Sequence, residues 1–313
     1  MRIKDFQEEY VPINGITQYF LHYPLPKDTV AIILHGGPGQ SEAILAHCFR
    51  PYWDFCSVVY YDQRGAGSTQ RKSQSKPDEL VIDTLIADLK ETIRYVKEKY
   101  QAERVVLIGH SWGTVLGTQY IRQHPDDVIA YIGYGQVVDM LRGERAAYDE
   151  LKKAVEKKGD KKDLTALYAL NDYPYDVGSE DFLKSVLAFR RLQTKYGYLD
   201  TLPKILRAVV RSPLFRLSAV TALFAADALK RNKHLVDALL TYSVWDDAAY
   251  QTPIFYVLGK DDWQTPSVLA AEYFDRIMAP QKGLYWIENA KHMCDLDDPE
   301  AFCQSIRDIL SKL

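Results

Sequence analysis

The stretch Arg104-Val105-Val106-Leu107-Ile108-Gly109-His110-Ser111-Trp112-Gly113 decides the reading of this chain. A short apolar run breaks at a glycine, carries a single serine past it, and opens an amphipathic helix. In a G-x-S-x-G turn the sharp passage from strand to helix forces the central residue into a strained backbone conformation, and the flanking glycines keep side chains out of the turn. Ser111 Oγ then projects above the sheet. Two glycines and a serine also arise by chance, so the rest of the chain has to decide what the motif means.

The rest of the chain reads as alternating strands and helices. Strand-like runs are expected at Thr17 to Tyr23, Val30 to Leu34, Ser57 to Tyr61, Val105 to Ile108, Val128 to Tyr134, Ile254 to Leu258 and Gly283 to Ile287. Several are β-branched or aromatic throughout, the pattern of parallel strands covered on both faces. Between them, Asp83 to Tyr100 carries a helical stripe of Leu85, Ile86, Leu89, Ile93 and Val96. Thr114 to His124 stops before Pro125, and Pro299 to Leu313 starts with proline where a helix tolerates it. The alternation predicts βαβ units in a doubly wound, mostly parallel sheet.

From about Val138 to Trp245 the strand signal stops. Successive helices are expected at Arg142 to Lys158, Lys162 to Leu170, Ser179 to Thr194, Leu202 to Val210, Leu214 to Lys230 and Lys233 to Tyr242. An all-helical cap, residues 138–245, therefore interrupts a core of residues 1–137 and 246–313. Its place is the carboxyl edge of the sheet, above the elbow. The cap aromatics Tyr168, Tyr173, Tyr175, Phe182, Phe189, Tyr196, Tyr198, Phe215 and Phe224 either line an apolar pocket or form the cap's own core, and core is the favoured reading.

Composition narrows the classes. With 313 residues, 47% hydrophobic, 26% charged and a net charge of -3, the chain has no basic excess to recruit nucleic acid. The apolar stretch Leu217 to Ala226 is too short for a bilayer, which takes about 20 residues. Charges interrupt the N-terminal segment, so it does not read as a signal peptide, and the expected location is cytoplasmic. Cys48, Cys56, Cys294 and Cys303 show no C-x-x-C spacing and read as reduced thiols. Cys294, two residues after His292, reads as a small buried hydrophobe and not as a nucleophile.

Acyl transfer by a serine needs a base, a carboxylate to orient it and donors for the oxyanion. The elbow within alternating strands and helices resembles the α/β-hydrolases, in which nucleophile precedes carboxylate and carboxylate precedes histidine. His292 alone among seven histidines lies downstream of the strand-end carboxylates Asp261 and Asp262. Asp262 is preferred, because Gly259-Lys260-Asp261-Asp262 followed by Pro266 fits G-x-x-D-x-x-x-P after the strand, and Asp261 is the alternative. The oxyanion donors are expected to be the N–H groups of Trp112 and of Gly37 in His35-Gly36-Gly37-Pro38-Gly39. That loop has neither dinucleotide nor Walker spacing, and no cofactor or metal is implied.

His35-Gly36-Gly37-Pro38-Gly39, Asp62-Gln63-Arg64-Gly65-Ala66-Gly67-Ser68 and Gly109-His110-Ser111-Trp112-Gly113-Thr114 together resemble the proline iminopeptidase branch of the α/β-hydrolases, over roughly residues 10–137 and 250–313. The resemblance implies a serine aminopeptidase that releases N-terminal proline, or another small apolar residue, from short peptides. It also implies a bracing role for the Asp62 segment. Family members hold the substrate amine with acidic cap residues or with one beside the catalytic aspartate. Here Trp263 stands beside Asp262 and the family's Glu-Asn cap signature is absent, which leaves Glu144 and Asp139 as the best-placed substitutes. The alternatives are an esterase, lactonase or amidase acting on a small apolar acyl group, and a ligand-binding receptor on the same scaffold.

Overall fold

The computed structural model describes residues 6–170, 173–174, 180–215 and 231–313. Eight strands form one sheet: β1 (Gln7–Ile13), β2 (Ile16–Tyr23), β3 (Val30–Leu34), β4 (Ser57–Tyr61), β5 (Val105–His110), β6 (Val128–Tyr134), β7 (Ile254–Gly259) and β8 (Lys282–Ile287). Their spatial order is β1-β2-β4-β3-β5-β6-β7-β8. The β1/β2 and β2/β4 pairs are antiparallel and the other five are parallel. The doubly wound, mostly parallel sheet read from the sequence is present.

β1 was not anticipated. Its Glu8 and Glu9 break the apolar pattern, but an edge strand pairs on one side only, so it tolerates both the charges and Pro12. The overlooked signal is Asn14-Gly15, whose φ values of 42° and 80° turn β1 into β2 as a tight hairpin.

Both faces of the central strands are covered. Leu85, Leu89, Ile93 and Val96 of the helix Ile82–Tyr100 pack on one face with Val115, Leu116 and Tyr120 of the helix Trp112–Gln123. Phe302, Ile306 and Ile309 of the helix Pro299–Leu310 cover the other, beside Phe49 and Trp53. The β3, β4 and β5 side chains are buried throughout, as continuous apolar runs require.

Within the insertion, the described helices are Met140–Lys158, Lys161–Tyr168, Glu180–Lys195, Leu202–Arg211 and Lys233–Leu240. Tyr148, Leu151, Val155, Leu167, Tyr173 and Phe189 give it a small core of its own. Its two roots are stitched together where Val244 N–H donates to Val138 O at 2.8 Å and Met140 N–H donates to Tyr242 O at 3.0 Å. Of the cap aromatics, Tyr173 and Phe189 are core, whereas Tyr168 and Phe215 are exposed. Most of the helix expected from Leu214 to Lys230 lies outside the described residues, as do the apolar stretch Leu217 to Ala226, Tyr175 and Phe224. Among the described residues no helix is long and apolar enough to cross a membrane.

Register brings the site together. Leu34 pairs with Gly109, His110 with Tyr134 and Gly259 with Ile287, so β3, β5, β6, β7 and β8 end along one edge. The loops after them carry His35, Ser111, Asp262 and His292.

Candidate active site

Ser111 occupies the turn between β5 and the helix Trp112–Gln123 with φ 50° and ψ −117°. Positive φ is costly for a residue with a Cβ, and here neighbouring packing leaves no relaxed alternative. A Cβ at Gly113 would fall on the Leu34 carbonyl of β3, and one at Gly109 would stand 2.8 Å from Gly113 O. The two glycines let the helix start against the sheet, and Ser111 N–H is anchored by Tyr134 O at 3.1 Å.

The structure sets Asp262, not Asp261, against His292. Asp262 Oδ2 accepts from His292 Nδ1 at 2.9 Å, and both residues are buried. Asp261 is exposed, and its N–H donates to Ala290 O. Thr265, which the sequence reading overlooked, completes the pair. Its hydroxyl donates to Asp262 Oδ2 at 2.9 Å, and its N–H and that of Gln264 donate to Oδ1. Burial alone would raise the Asp262 carboxyl, but His292 and the Thr265 groups hold it below its ordinary value. Because the carboxylate accepts, Nδ1 carries a proton in this pair. Nε2 is buried, with no hydrogen-bond partner among the described residues, Ser111 Oγ included. Room for the ring comes from Gly135 (φ 52°), whose Cβ would stand 2.8 Å from His292 Cε1.

Trp112 is the first residue of its helix, so its N–H has no intrahelical acceptor. Gly37, in the facing loop, has φ 123°. Gln63, within the segment that the family resemblance marks as bracing, joins the two. Its Oε1 accepts from Trp112 Nε1 at 3.0 Å, its N–H donates to His35 Nε2 at 2.9 Å and its Nε2 to His35 O at 3.1 Å. Nearby, Arg64 forms a buried bidentate pair with Asp88 at 2.7 and 3.0 Å.

Among the described residues, the insertion meets this core beside the site at Asn232, Gln193 and Asp200, among other contacts. Asn232 is fully buried against Gly39 and Gly65, where a Cβ on Gly65 would lie 2.8 Å from Asn232 Oδ1. Gln193 Nε2 donates to Trp263 O at 2.9 Å, and the Trp263 ring stands edge-on to Tyr198 at 6.2 Å. Asp200 Oδ2 accepts from Met293 N–H at 3.0 Å, while Lys204 pairs with both Asp200 and Asp297. Neither Asn232 nor Asp200 carries a sequence signal, since each gains its partner only through the fold.

The expected amine anchors have other partners. Glu144 is 2% exposed, ion-paired with Arg190 and bonded to the Tyr173 hydroxyl. Asp139 caps the helix Met140–Lys158 by accepting from Arg142 N–H at 2.8 Å, and it also accepts from Ser243 Oγ. The four cysteines are free thiols. Cys294 is buried with its thiol pushed well above the ordinary value, which suits packing.

A G-x-S-x-G elbow at the carboxyl edge of an eight-stranded, mostly parallel sheet, followed in sequence by a strand-end aspartate and a loop histidine in contact, defines a class. The chain belongs to the alpha/beta hydrolase family, whose model matches residues 31–305, and it is a hydrolase. Within that family it is proline iminopeptidase-like. It is 24% identical over 284 residues to the probable aminopeptidase YbaC of Bacillus subtilis, covering 90% of this chain and 88% of that one. It is 23% identical over 295 residues to a proline iminopeptidase of Heyndrickxia coagulans, covering 91% of each. The crystal structure of a Mycobacterium smegmatis proline iminopeptidase superposes with a TM-score of 0.71 at 17% identity, over 98% of both chains. An epoxide hydrolase from Vigna radiata shares the fold at a TM-score of 0.63 and 18% identity, over the whole of both chains.

Proposed function

We propose that this hydrolase is a serine aminopeptidase that releases N-terminal proline or another small apolar residue from short peptides. The observations that support the serine mechanism are the Asp262–His292 pair at 2.9 Å, whose Nε2 has no hydrogen-bond partner among the described residues, and the strained elbow turn that carries Ser111. His292 Nε2 takes the Ser111 hydroxyl proton as Oγ adds to the substrate carbonyl. Trp112 and Gly37 N–H groups stabilise the resulting oxyanion, and the imidazolium passes its proton to the departing amine. Water, deprotonated by the same imidazole, then cleaves the acyl ester and frees Ser111. The aminopeptidase and proline iminopeptidase relatives support the peptide substrate.

A second reading, hydrolysis of an ester or amide with an uncharged acyl group, is favoured by one observation. Glu144 is already neutralised by Arg190 and cannot take a substrate ammonium without breaking that pair. One comparison decides between the two. An aminopeptidase prefers prolyl arylamide over N-acetylprolyl arylamide by at least about 10³ in kcat/KM, because the neutral analogue leaves the amine anchor buried and unpaired. Equal or reversed preference, with turnover of short-chain esters, establishes the second reading.

A further inference from the structure

One largely buried ion pair joins segments on either side of the elbow, and the reaction scheme above makes no use of it. Glu42 follows the glycine-rich loop, and its Oε1 accepts from Gly36 N–H at 2.9 Å and from His110 Nδ1. The other nitrogen of that ring, Nε2, faces the backbone carbonyl of His292 at 3.3 Å. A carboxylate and a carbonyl only accept hydrogen bonds, so both ring nitrogens carry protons and His110 is an imidazolium. The ring is buried and stacked on Tyr134, with centroids 4.4 Å apart and planes 10° from parallel. Tyr134 in turn donates to buried Asp295 at 3.0 Å. Burial opposes the charge on His110, yet the adjoining Glu42 carboxylate, with Asp295 adding to it, lifts the group to about 9. Glu42 itself stays below its ordinary value despite burial, because His110 faces it.

We propose that Glu42 and His110 act as one positioning unit, an ion pair that ties the oxyanion loop at Gly36 to the base loop at the His292 carbonyl, pivoting on the residue before the nucleophile. The inference rests on reading Ser111 and His292 as nucleophile and base. Gly36 precedes the oxyanion donor and sits so close to the elbow that a Cβ on it would lie 3.3 Å from Ser111 Cβ. The unit therefore sets the distance between the oxyanion donors and the base. A buried charge stripped of its partner is strongly unfavourable, so neither loop shifts while the pair holds. Both are positioning residues, and no step of the reaction is assigned to either.

The test compares fluorophosphonate labelling rates and melting temperatures of the wild-type chain, Glu42→Gln, His110→Gln and the double variant. Glu42→Gln keeps an acceptor for Gly36 N–H and removes only the charge. Each single change should slow labelling about 10²-fold, the scale of a small misplacement at a reacting centre. The double variant should be no slower than the worse single one, since both remove the same unit. Folded single variants that label at the wild-type rate, or losses that add in the double variant, overturn the proposal. If the variants do not fold, the wild-type chain decides by nitrogen NMR of His110, assigned through its contacts with the Tyr134 ring. The ring should remain doubly protonated at about pH 8, where an ordinary histidine is neutral, and a neutral ring there overturns the proposal. Failure of the underlying reading looks different, because Ser111→Ala would then still be labelled.

Discussion

Asp200, from the helical insertion, accepts a hydrogen bond at 3.0 Å from the backbone N–H of Met293, the residue after His292. Lys291 N–H, on the other side of His292, donates to Asp297 at 2.7 Å, and Lys204 bridges the two carboxylates. The base loop is thus clamped jointly by core and insertion. Asp200→Ala should lower kcat by about tenfold through loss of that clamp, and Asp200→Asn, whose amide oxygen still accepts, should recover most of it. Steady-state kinetics on one substrate checks this, and equal rates for Asp200→Ala and the wild-type chain would show that the clamp is idle.

Ser111→Ala should abolish fluorophosphonate labelling and reduce turnover by about 10⁶, while the melting temperature stays close to that of the wild-type chain. Among the described residues the Ser111 hydroxyl makes no hydrogen bond that supports a neighbouring element, so activity and stability should separate at this position. Retained labelling would place the nucleophile elsewhere.

The two adjacent aspartates should differ sharply. Asp262→Asn keeps an oxygen on the Gln264 and Thr265 N–H groups but turns an amide donor toward His292 Nδ1, which favours the wrong imidazole tautomer and should lower turnover by about 10⁴, whereas exposed Asp261→Asn should change it less than about threefold. The reverse ranking in a pair of kcat/KM measurements contradicts the geometry of the site.

Glu144→Gln bears on stability more than on specificity. Breaking its pair leaves Arg190 without its counter-charge beside a buried amide and should cost about 3 kcal/mol, read as a lowered melting temperature. Discrimination between free and N-acetylated prolyl arylamide should survive. Its loss in a variant that melts normally would make Glu144 the amine anchor.

Gly113→Ala should prevent stable folding or lower the melting temperature steeply. The new methyl group meets the Leu34 carbonyl, and the central strand pair cannot move to admit it. A thermal melt matching the wild-type chain would show that the elbow relaxes.

The sequence by itself determined the sheet and most of its strands, because fully buried parallel strands are long apolar runs and local pattern suffices to find them. The elbow was equally legible, since the glycines at 109 and 113 record a steric requirement at fixed spacing. Chain order pointed to His292, and the spacing from Gly259 to Pro266 preferred Asp262 over Asp261. Only the tertiary structure decided what surrounds them. Thr265 beside Asp262, Gln63 between Trp112 and His35, Asp200 on the base loop and Glu42 against His110 are contacts between segments far apart in the chain, or side-chain directions that no short-range pattern encodes. The same limit explains Glu144. Its position after β6 suggested an amine anchor, but Arg190 and Tyr173 come to it across the insertion and neutralise it where burial would otherwise leave it exposed to a high desolvation cost.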